Sequence, residues 1–299
     1  MYITLIATLS LIPHISVFKR ISLFSSALVL LGLWGKAQPV AAQALVPYVL
    51  PLDFERLEEQ GLILAQEAAQ LAQFQQYEAA LARAQLAAQL IPDSAQVWGL
   101  LGSLYLQSNE IDLAIAALEK AKNLEPDNAA VLFALGSAHF REARFMSAAS
   151  SLEAGLRIEP DNPGALFDLG NAYYMLNRYE DAIASYEDAV KKDSEFWPAV
   201  NNIGLALFES GDAEGAIRTW REALEIAAEE TEPQLAIAVA LYAKGDQEQA
   251  IRLGTAALER DSRYADLEFL KENLWGVRLL AETEQFFSAP AVRALIAQL

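Results

Sequence analysis

The feature of this sequence that most constrains its fold is an internal repeat of 34 residues. Alanine recurs at this spacing with no insertion or deletion in the series, at Ala80, Ala114, Ala148, Ala182, Ala216 and Ala250. A fixed period of this length is typical of solenoids, in which each unit buries its apolar face only by stacking on its neighbours. The chain is therefore expected to form a row of equal units.

Each unit contains two amphipathic helices that pack closely. With the units numbered 1 to 34 from Gly61, positions 8 and 27 hold only Ala or Gly. Large apolar residues stand around them at intervals of three and four, as in Trp98, Leu101 and Tyr105, so they share one helix face. Small residues at two fixed positions let neighbouring helices approach each other.

Turn signals separate the helices at regular positions. One column between the two helices of a unit holds Asn109, Asn177, Gly211 and Gly245, and these residue types tolerate the left-handed conformation that ends a helix. Between units the sequence reads Pro-Asp-Ser at 92–94 and Pro-Asp-Asn at 126–128 and 160–162, where proline ends one helix and a polar side chain can cap the next. The pattern predicts an all-α protein.

These residues resemble the tetratricopeptide repeat (TPR) family. The family pattern of Trp, Leu-Gly, Tyr, Ala, aromatic, Ala and Pro is matched most fully between Ala95 and Asp193, and the departures fall in the first unit and the last three. The resemblance covers residues 61–264 and implies a right-handed α-solenoid. Its six repeats are 61–94, 95–128, 129–162, 163–196, 197–230 and 231–264.

Residues 265–299 do not continue the repeat. Leu267, Leu270, Leu274, Val277 and Ala281 still form an apolar stripe at helical spacing. We expect a longer terminal helix that covers the last unit, followed by a short helix after Pro290, because a solenoid needs capping at its ends.

The N-terminus predicts export. Residues 1–44 contain no acidic residue; Lys19-Arg20 precedes an apolar run from Ile21 to Trp34, and Ala42-Gln43-Ala44 supplies small residues at a cleavage position. This order is typical of a secretory signal, and translation would then begin nearer Val17. The alternative is an uncleaved membrane anchor. Either would place the repeats on the non-cytoplasmic side, in the periplasm or the thylakoid lumen, with membrane association only through this segment.

A leader, residues 45–60, joins the signal to the first repeat. Its part from Leu45 to Pro51 is apolar and is expected to pack on the first helix, since exposed apolar stretches are uncommon. A mobile tether is the alternative.

The charge of the mature region limits the possible partners. Residues 45–299 contain 19 basic and 40 acidic residues, for a formal net charge of −21. A field of this sign disfavours nucleic acid and anionic lipid surfaces. An apolar or basic protein partner fits better, and the alternative is that the charge only keeps the solenoid soluble.

Catalytic chemistry is not indicated. The chain has no cysteine, and His139 is the one histidine beyond the signal, so we expect no metal, no cofactor and no nucleophilic triad. His139 stands where other units have tyrosine and is predicted to be a core residue.

The family resemblance implies that positions 2, 5, 9, 12 and 13 of each unit face a concave groove. There the sequence predicts aromatic and amide side chains as the partner-binding residues: Phe133, Phe140, Phe167, Asn171, Tyr174, Asn201, Phe208 and Tyr242. Such a groove suits an extended or helical peptide, although aromatic rings at these positions also serve as packing. The groove lacks the Lys and Arg that hold a chaperone's C-terminal carboxylate, since Arg141 is the one nearby cation, so that partner is not expected.

The first function hypothesis is a non-enzymatic scaffold that binds a protein in this groove, as an assembly factor for a membrane-associated complex. Residues 263–276 resemble the ends of cyanobacterial and plastid TPR proteins, several of which assist photosynthetic complexes. The second is a structural envelope component that spaces or oligomerises other proteins through its convex face. The third is an unrecognised hydrolase.

Overall fold

The computed structural model describes residues 53–299, and this part of the chain is helical with no strand. Six consecutive helical hairpins are followed by a 3₁₀ turn and three short helices. The elements are α1 (Phe54–Gln73), α2 (Tyr77–Leu90), α3 (Ala95–Gln107), α4 (Ile111–Leu124), α5 (Ala129–Arg141), α6 (Phe145–Ile158), α7 (Pro163–Met175), α8 (Tyr179–Lys192), α9 (Trp197–Ser210), α10 (Ala213–Ile226), α11 (Thr231–Ala243), α12 (Gln247–Arg260), the 3₁₀ turn Ser262–Ala265, α13 (Leu267–Glu272), α14 (Val277–Ser288) and α15 (Pro290–Ile296).

The helix starts follow the predicted period. First helices begin at Ala95, Ala129, Pro163, Trp197 and Thr231, and second helices keep the same 34-residue interval from Tyr77 to Gln247. The all-α solenoid of six hairpins is confirmed. Only α1 departs from this register, because Asp53 accepts a hydrogen bond from the Arg56 amide (3.1 Å) and starts the helix seven residues early, at Phe54.

The predicted turns and caps are present. Ser94, Asn128 and Asn162 each accept a hydrogen bond from a backbone N–H of the helix that follows. The column between paired helices is left-handed in every unit: Gln75, Asn109, Ala143, Asn177, Gly211 and Gly245 all have positive φ. Gln75 and Ala143 adopt this conformation without the residue types that favour it, because the repeat geometry imposes it.

Within each hairpin, position 8 makes room for a large side chain at position 24. A Cβ atom added at Gly102 would lie 2.5 Å from Leu118, and one added at Gly204 would lie 2.3 Å from Trp220. The residue at position 24 is Leu118, Leu152, Tyr186 and Trp220 in units two to five. Glycine at position 8 is therefore a packing requirement in units two to five.

The C-terminal segment (residues 265–299) completes the packing of the sixth unit. Position 24 is Gly254 there, and the Phe286 ring of α14 fills the space, since a Cβ at Gly254 would lie 2.3 Å from that ring. Phe286 is fully buried and packs edge-to-face on Tyr242 at 5.4 Å. The segment is part of the same buried cluster as units four to six.

The expected single long terminal helix is wrong. The chain leaves α13 at Glu272, passes through Leu274 with φ of 64°, and begins α14 only at Val277. The apolar stripe seen in the sequence crosses this break, so it belongs to two helices that pack in different directions. The short helix expected after Pro290 is present as α15.

The first helices line the inner side of the solenoid. Successive first helices α1, α3, α5 and α7 contact one another more extensively than successive second helices do, which places them on the concave side. Among the described residues no helix is long and apolar enough to cross a membrane. The signal or anchor predicted at 1–44 and the apolar part of the leader lie outside those residues.

Candidate partner-binding site

The concave face has two different halves. In units five and six the C-terminal segment lies against it, because α14 packs on α9 and α11. In units two and three the face is open and carries small side chains, and a pocket of about 250 Å³ there is bordered by Gly99, Ser103 and Ala130. The part of the groove open to another molecule therefore lies in the N-terminal half of the array.

Glu209, at concave position 13 of unit five, anchors the start of α14. Its carboxylate accepts hydrogen bonds from the backbone N–H groups of Arg278 (3.1 Å) and Leu279 (2.8 Å). An acidic group is favourable at a helix N-terminus, where the N–H groups have no partner within the helix. Gly276 permits the approach, because a Cβ at this residue would lie 2.3 Å from the Glu209 carboxyl carbon.

A second anchor joins unit six to the turn before α14. The indole N–H of Trp275 donates a hydrogen bond to Glu232 Oε1 at 3.1 Å, and both side chains are buried. Burial raises the pKa of Glu232 to about 7, and hydrogen bonds from Trp275 and Asn201 oppose this rise. Asn201 Oδ1 is buried without a hydrogen-bond partner, so a protonated Glu232 is a suitable neighbouring donor.

Three of the predicted partner-binding residues, Tyr174, Phe208 and Tyr242, lie against the C-terminal segment, and a fourth, Asn201, lies beside the buried Glu232. Tyr174, Asn201 and Phe208 are buried, and Tyr242 packs on Phe286. The Phe208 ring and carbonyl group hold the Arg278 guanidinium, with 3.1 Å between Phe208 O and Arg278 Nη1. Partner contact at these positions stays a prediction, and it would require the segment to move.

Three further predicted residues make packing or hydrogen-bond contacts within the repeat array. The Phe133 ring packs on Gly155 of α6, and Phe167 packs edge-to-face on Phe196 at 5.2 Å. The amide oxygen of Asn171 accepts hydrogen bonds from the Tyr186 hydroxyl (2.8 Å) and from Asn202 (3.0 Å). These side chains are half-buried and stabilise the repeat array, Asn171 joining unit four to unit five through Asn202, and their contact with a partner stays a prediction.

Phe140, the eighth predicted residue, borders a large surface hollow. This hollow of about 1190 Å³ lies between the turns of units two and three and the C-terminal segment. Its lining is Asn109, Glu110, Ile111, Asp112, Leu113, Phe140, Arg141, Glu142, Phe145, Met175, Glu272 and Leu274. Sequence reasoning singled out only Phe140 and Arg141 of this set as groove residues. Met175 also stands at concave position 13 but was not selected, and the other lining residues lie in or beside the turns or in the C-terminal segment.

The hollow is negatively charged. Its lining contains the carboxylates of Glu110, Asp112, Glu142 and Glu272. The one cation in the lining, Arg141, donates hydrogen bonds to Leu106 O (2.6 Å) and Asn109 Oδ1 (2.9 Å), so its guanidinium is engaged by the array. The arrangement does not favour a carboxylate ligand.

Residues 53–299 contain no group of three His, Cys, Asp or Glu side chains able to hold a metal ion. His139 is half-buried, and burial lowers its pKa below the ordinary value of 6.5. Its Nδ1 atom is buried without a hydrogen-bond partner, so no carboxylate orients the ring as a catalytic dyad would require. A packing role agrees with this environment.

The architecture defines a helical-repeat scaffold, and comparison of sequences gives its family. A model of the TPR domain of cytochrome c-type biogenesis protein H matches residues 53–195, and a tetratricopeptide repeat model matches residues 201–265. The chain belongs to the tetratricopeptide repeat family. No curated protein matches it in sequence.

Solved TPR structures share the fold. MamA is 23% identical, with a TM-score of 0.53, over 57% of this chain and 94% of its own. YrrB, described as a TPR protein with an unusual peptide-binding site, is 20% identical, with a TM-score of 0.53, over 65% of this chain and 98% of its own. PilF of Pseudomonas aeruginosa is 17% identical, with a TM-score of 0.59, over 73% of this chain and 99% of its own. At these identities the likeness concerns the fold.

Proposed function

We propose that this protein is a non-enzymatic scaffold that binds a partner protein on the concave face of units two and three. The observation that carries the proposal is the division of that face: the C-terminal segment packs on units five and six, and a pocket bordered by the small residues Gly99, Ser103 and Ala130 stays open in units two and three. Small residues at this place let a partner backbone approach the first helices closely. Membership of the family and the peptide-binding site of YrrB support the same class of function.

The partner is an apolar or basic segment, and the complex is a membrane-associated assembly. The strong negative charge supports the first part, since it repels acidic partners and attracts basic ones. The second part rests on the N-terminal sequence of residues 1–44, which predicts export or anchoring. A chain that begins at Leu45, found by mass spectrometry of the purified protein, would support cleavage, and one that retains Ile21 would contradict it.

The binding face is tested by adding bulk to it. Ala130 is exposed on the concave helix α5 and borders the small pocket, and Ala116 is exposed on the second helix α4. The wild-type protein is crosslinked in native membranes and its partner is identified by mass spectrometry. We expect Ala130→Trp to abolish this crosslink. Ala116→Trp, the matched control, should retain it. Loss with Ala116→Trp alone would contradict concave binding and favour the convex spacer.

A further inference from the structure

The hollow beside the open face has the composition of a specific recognition site. We propose that it binds a protein segment in which one large apolar side chain is flanked by Lys or Arg. The inference deepens the proposed function and rests on it, since the segment would belong to the partner that occupies the concave face. The hollow is larger than a single side chain requires, so several residues of the segment can enter.

Residues 53–299 leave two large apolar side chains of the hollow exposed to solvent. Leu113 is 47% exposed and Met175 is 38% exposed, although both are large. Between them Phe140 and Phe145 form an edge-to-face pair with ring centroids 5.3 Å apart. Rings and flexible aliphatic chains that are open to solvent at one place provide the surface that an apolar anchor would bury.

The rim defines the charge of the occupant. Four carboxylates lie in the lining, and the Arg141 guanidinium is committed to Leu106 O and Asn109 Oδ1. The first helices α5 and α7 also end at this edge, with Arg141 and Met175, and helix C-termini carry partial negative charge. Cationic residues beside the anchor would be attracted, and acidic residues would be repelled.

The C-terminal segment supplies a wall that the repeats alone do not have. Leu274 and Glu272 reach the hollow from the break between α13 and α14. Leu274 has φ of 64°, a conformation that costs a residue with a Cβ atom about 1–2 kcal/mol and normally selects Gly or Asn. The Leu274 side chain packs partly against the hydrophobic core of units four to six and also borders the hollow, so it joins the wall of the hollow to the folded array.

The test uses a fluorescent synthetic peptide with p-benzoylphenylalanine between two lysines, and a second peptide with glutamates in place of the lysines. Binding is followed by fluorescence anisotropy, and irradiation followed by mass spectrometry locates the crosslink. We expect the lysine peptide to bind and to crosslink within 109–113, 140–145, 175 or 272–274. Equal binding of both peptides, or crosslinks confined to other regions, would overturn the proposal.

Paired variants separate the hollow from general attraction to an acidic protein. Asp112→Asn with Glu142→Gln should weaken binding of the lysine peptide about fivefold. Glu222→Gln with Glu225→Gln, which removes two exposed charges from α10, should change it less than twofold. Equal effects of the two pairs would refute the site. If Ala130→Trp still abolishes crosslinking to the cellular partner in that case, the proposal of partner binding on the concave face is kept and only the assignment of the hollow fails.

Discussion

Glu232 makes the stability of the C-terminal half depend on pH in an unusual direction. Its pKa rises to about 7 in the folded protein, against an ordinary value of 4.5, because it is buried beside Trp275. Below pH 4.5 the carboxyl is protonated in both folded and unfolded chains. As pH rises toward 7, the unfolded chain releases the proton first, so this group's contribution to stability decreases and stays low above pH 7. The full difference is about 3 kcal/mol, at 1.36 kcal/mol per pKa unit.

Replacement of Glu232 by glutamine isolates this contribution. The amide cannot ionise, but its oxygen can still accept the hydrogen bond from Trp275, so Glu232→Gln should match the wild-type protein below pH 4.5 and exceed its stability by about 1.4 kcal/mol at pH 5.5, one unit above the pKa of the unfolded carboxyl. At pH 8.5 the variant should be more stable by about 3 kcal/mol, because the wild-type protein then buries a charge. Glu225→Gln is the control, since it removes an exposed carboxylate and changes net charge equally.

The assay is urea unfolding followed by tryptophan fluorescence and circular dichroism at several pH values between 5.5 and 8.5. Each comparison is made between variants at one pH, so titration of the other carboxylates cancels. A stability difference between wild type and Glu232→Gln that does not grow with pH would refute the reasoning. An equal pH dependence with Glu225→Gln would refute it too, because the effect would then follow from net charge.

Three other substitutions test the packing. Phe286→Ala should cost about 3–5 kcal/mol in urea unfolding, because it empties a fully buried space, and unchanged stability would show that the ring does not fill the sixth unit. Ala143→Gly should raise the melting temperature and the free energy of unfolding by about 0.5–1 kcal/mol, because glycine adopts the left-handed conformation without strain. Ala79→Gly, at an exposed position within α2, should lower the free energy of unfolding by about 1 kcal/mol. A change of the same sign in both variants would contradict the strain at Ala143. Gly276→Ala should release α14 from Glu209 and speed proteolysis of the C-terminal segment, and wild-type resistance would contradict the tight approach.

The regular part of the fold could be predicted from the sequence because it depends on local and neighbouring contacts. A glycine at position 8 and a leucine, tyrosine or tryptophan at position 24 recur at a fixed interval in units two to five, so each of these units repeats the evidence. Asn109 and Gly211 likewise mark the turns by their own conformational preferences. Ala143 forms the same turn, but alanine has no preference for the left-handed conformation. At this position only the 34-residue period predicts the turn.

The docking of the C-terminal segment could not be predicted, because it rests on contacts between distant residues. Glu209 and Arg278 are 69 residues apart, and nothing in either local sequence pairs them. One sequence feature could have indicated the docking. Position 24 holds a large side chain in units two to five but Gly254 in unit six, so a side chain from outside the repeat has to fill that space. The residues predicted from the concave columns stay a prediction as partner-binding residues, and Phe208 and Tyr242 among them contact the chain's own C-terminal segment.

Hydrogen-deuterium exchange with mass spectrometry tests the central claim most directly, namely that the C-terminal segment closes half of the concave face and leaves a binding hollow beside it. The account predicts slow exchange in 277–288 both with and without the lysine peptide. It also predicts that the peptide adds protection at 109–113, 140–145 and 272–274. Rapid exchange in 277–288 without the peptide, or added protection only on the second helices, would contradict it.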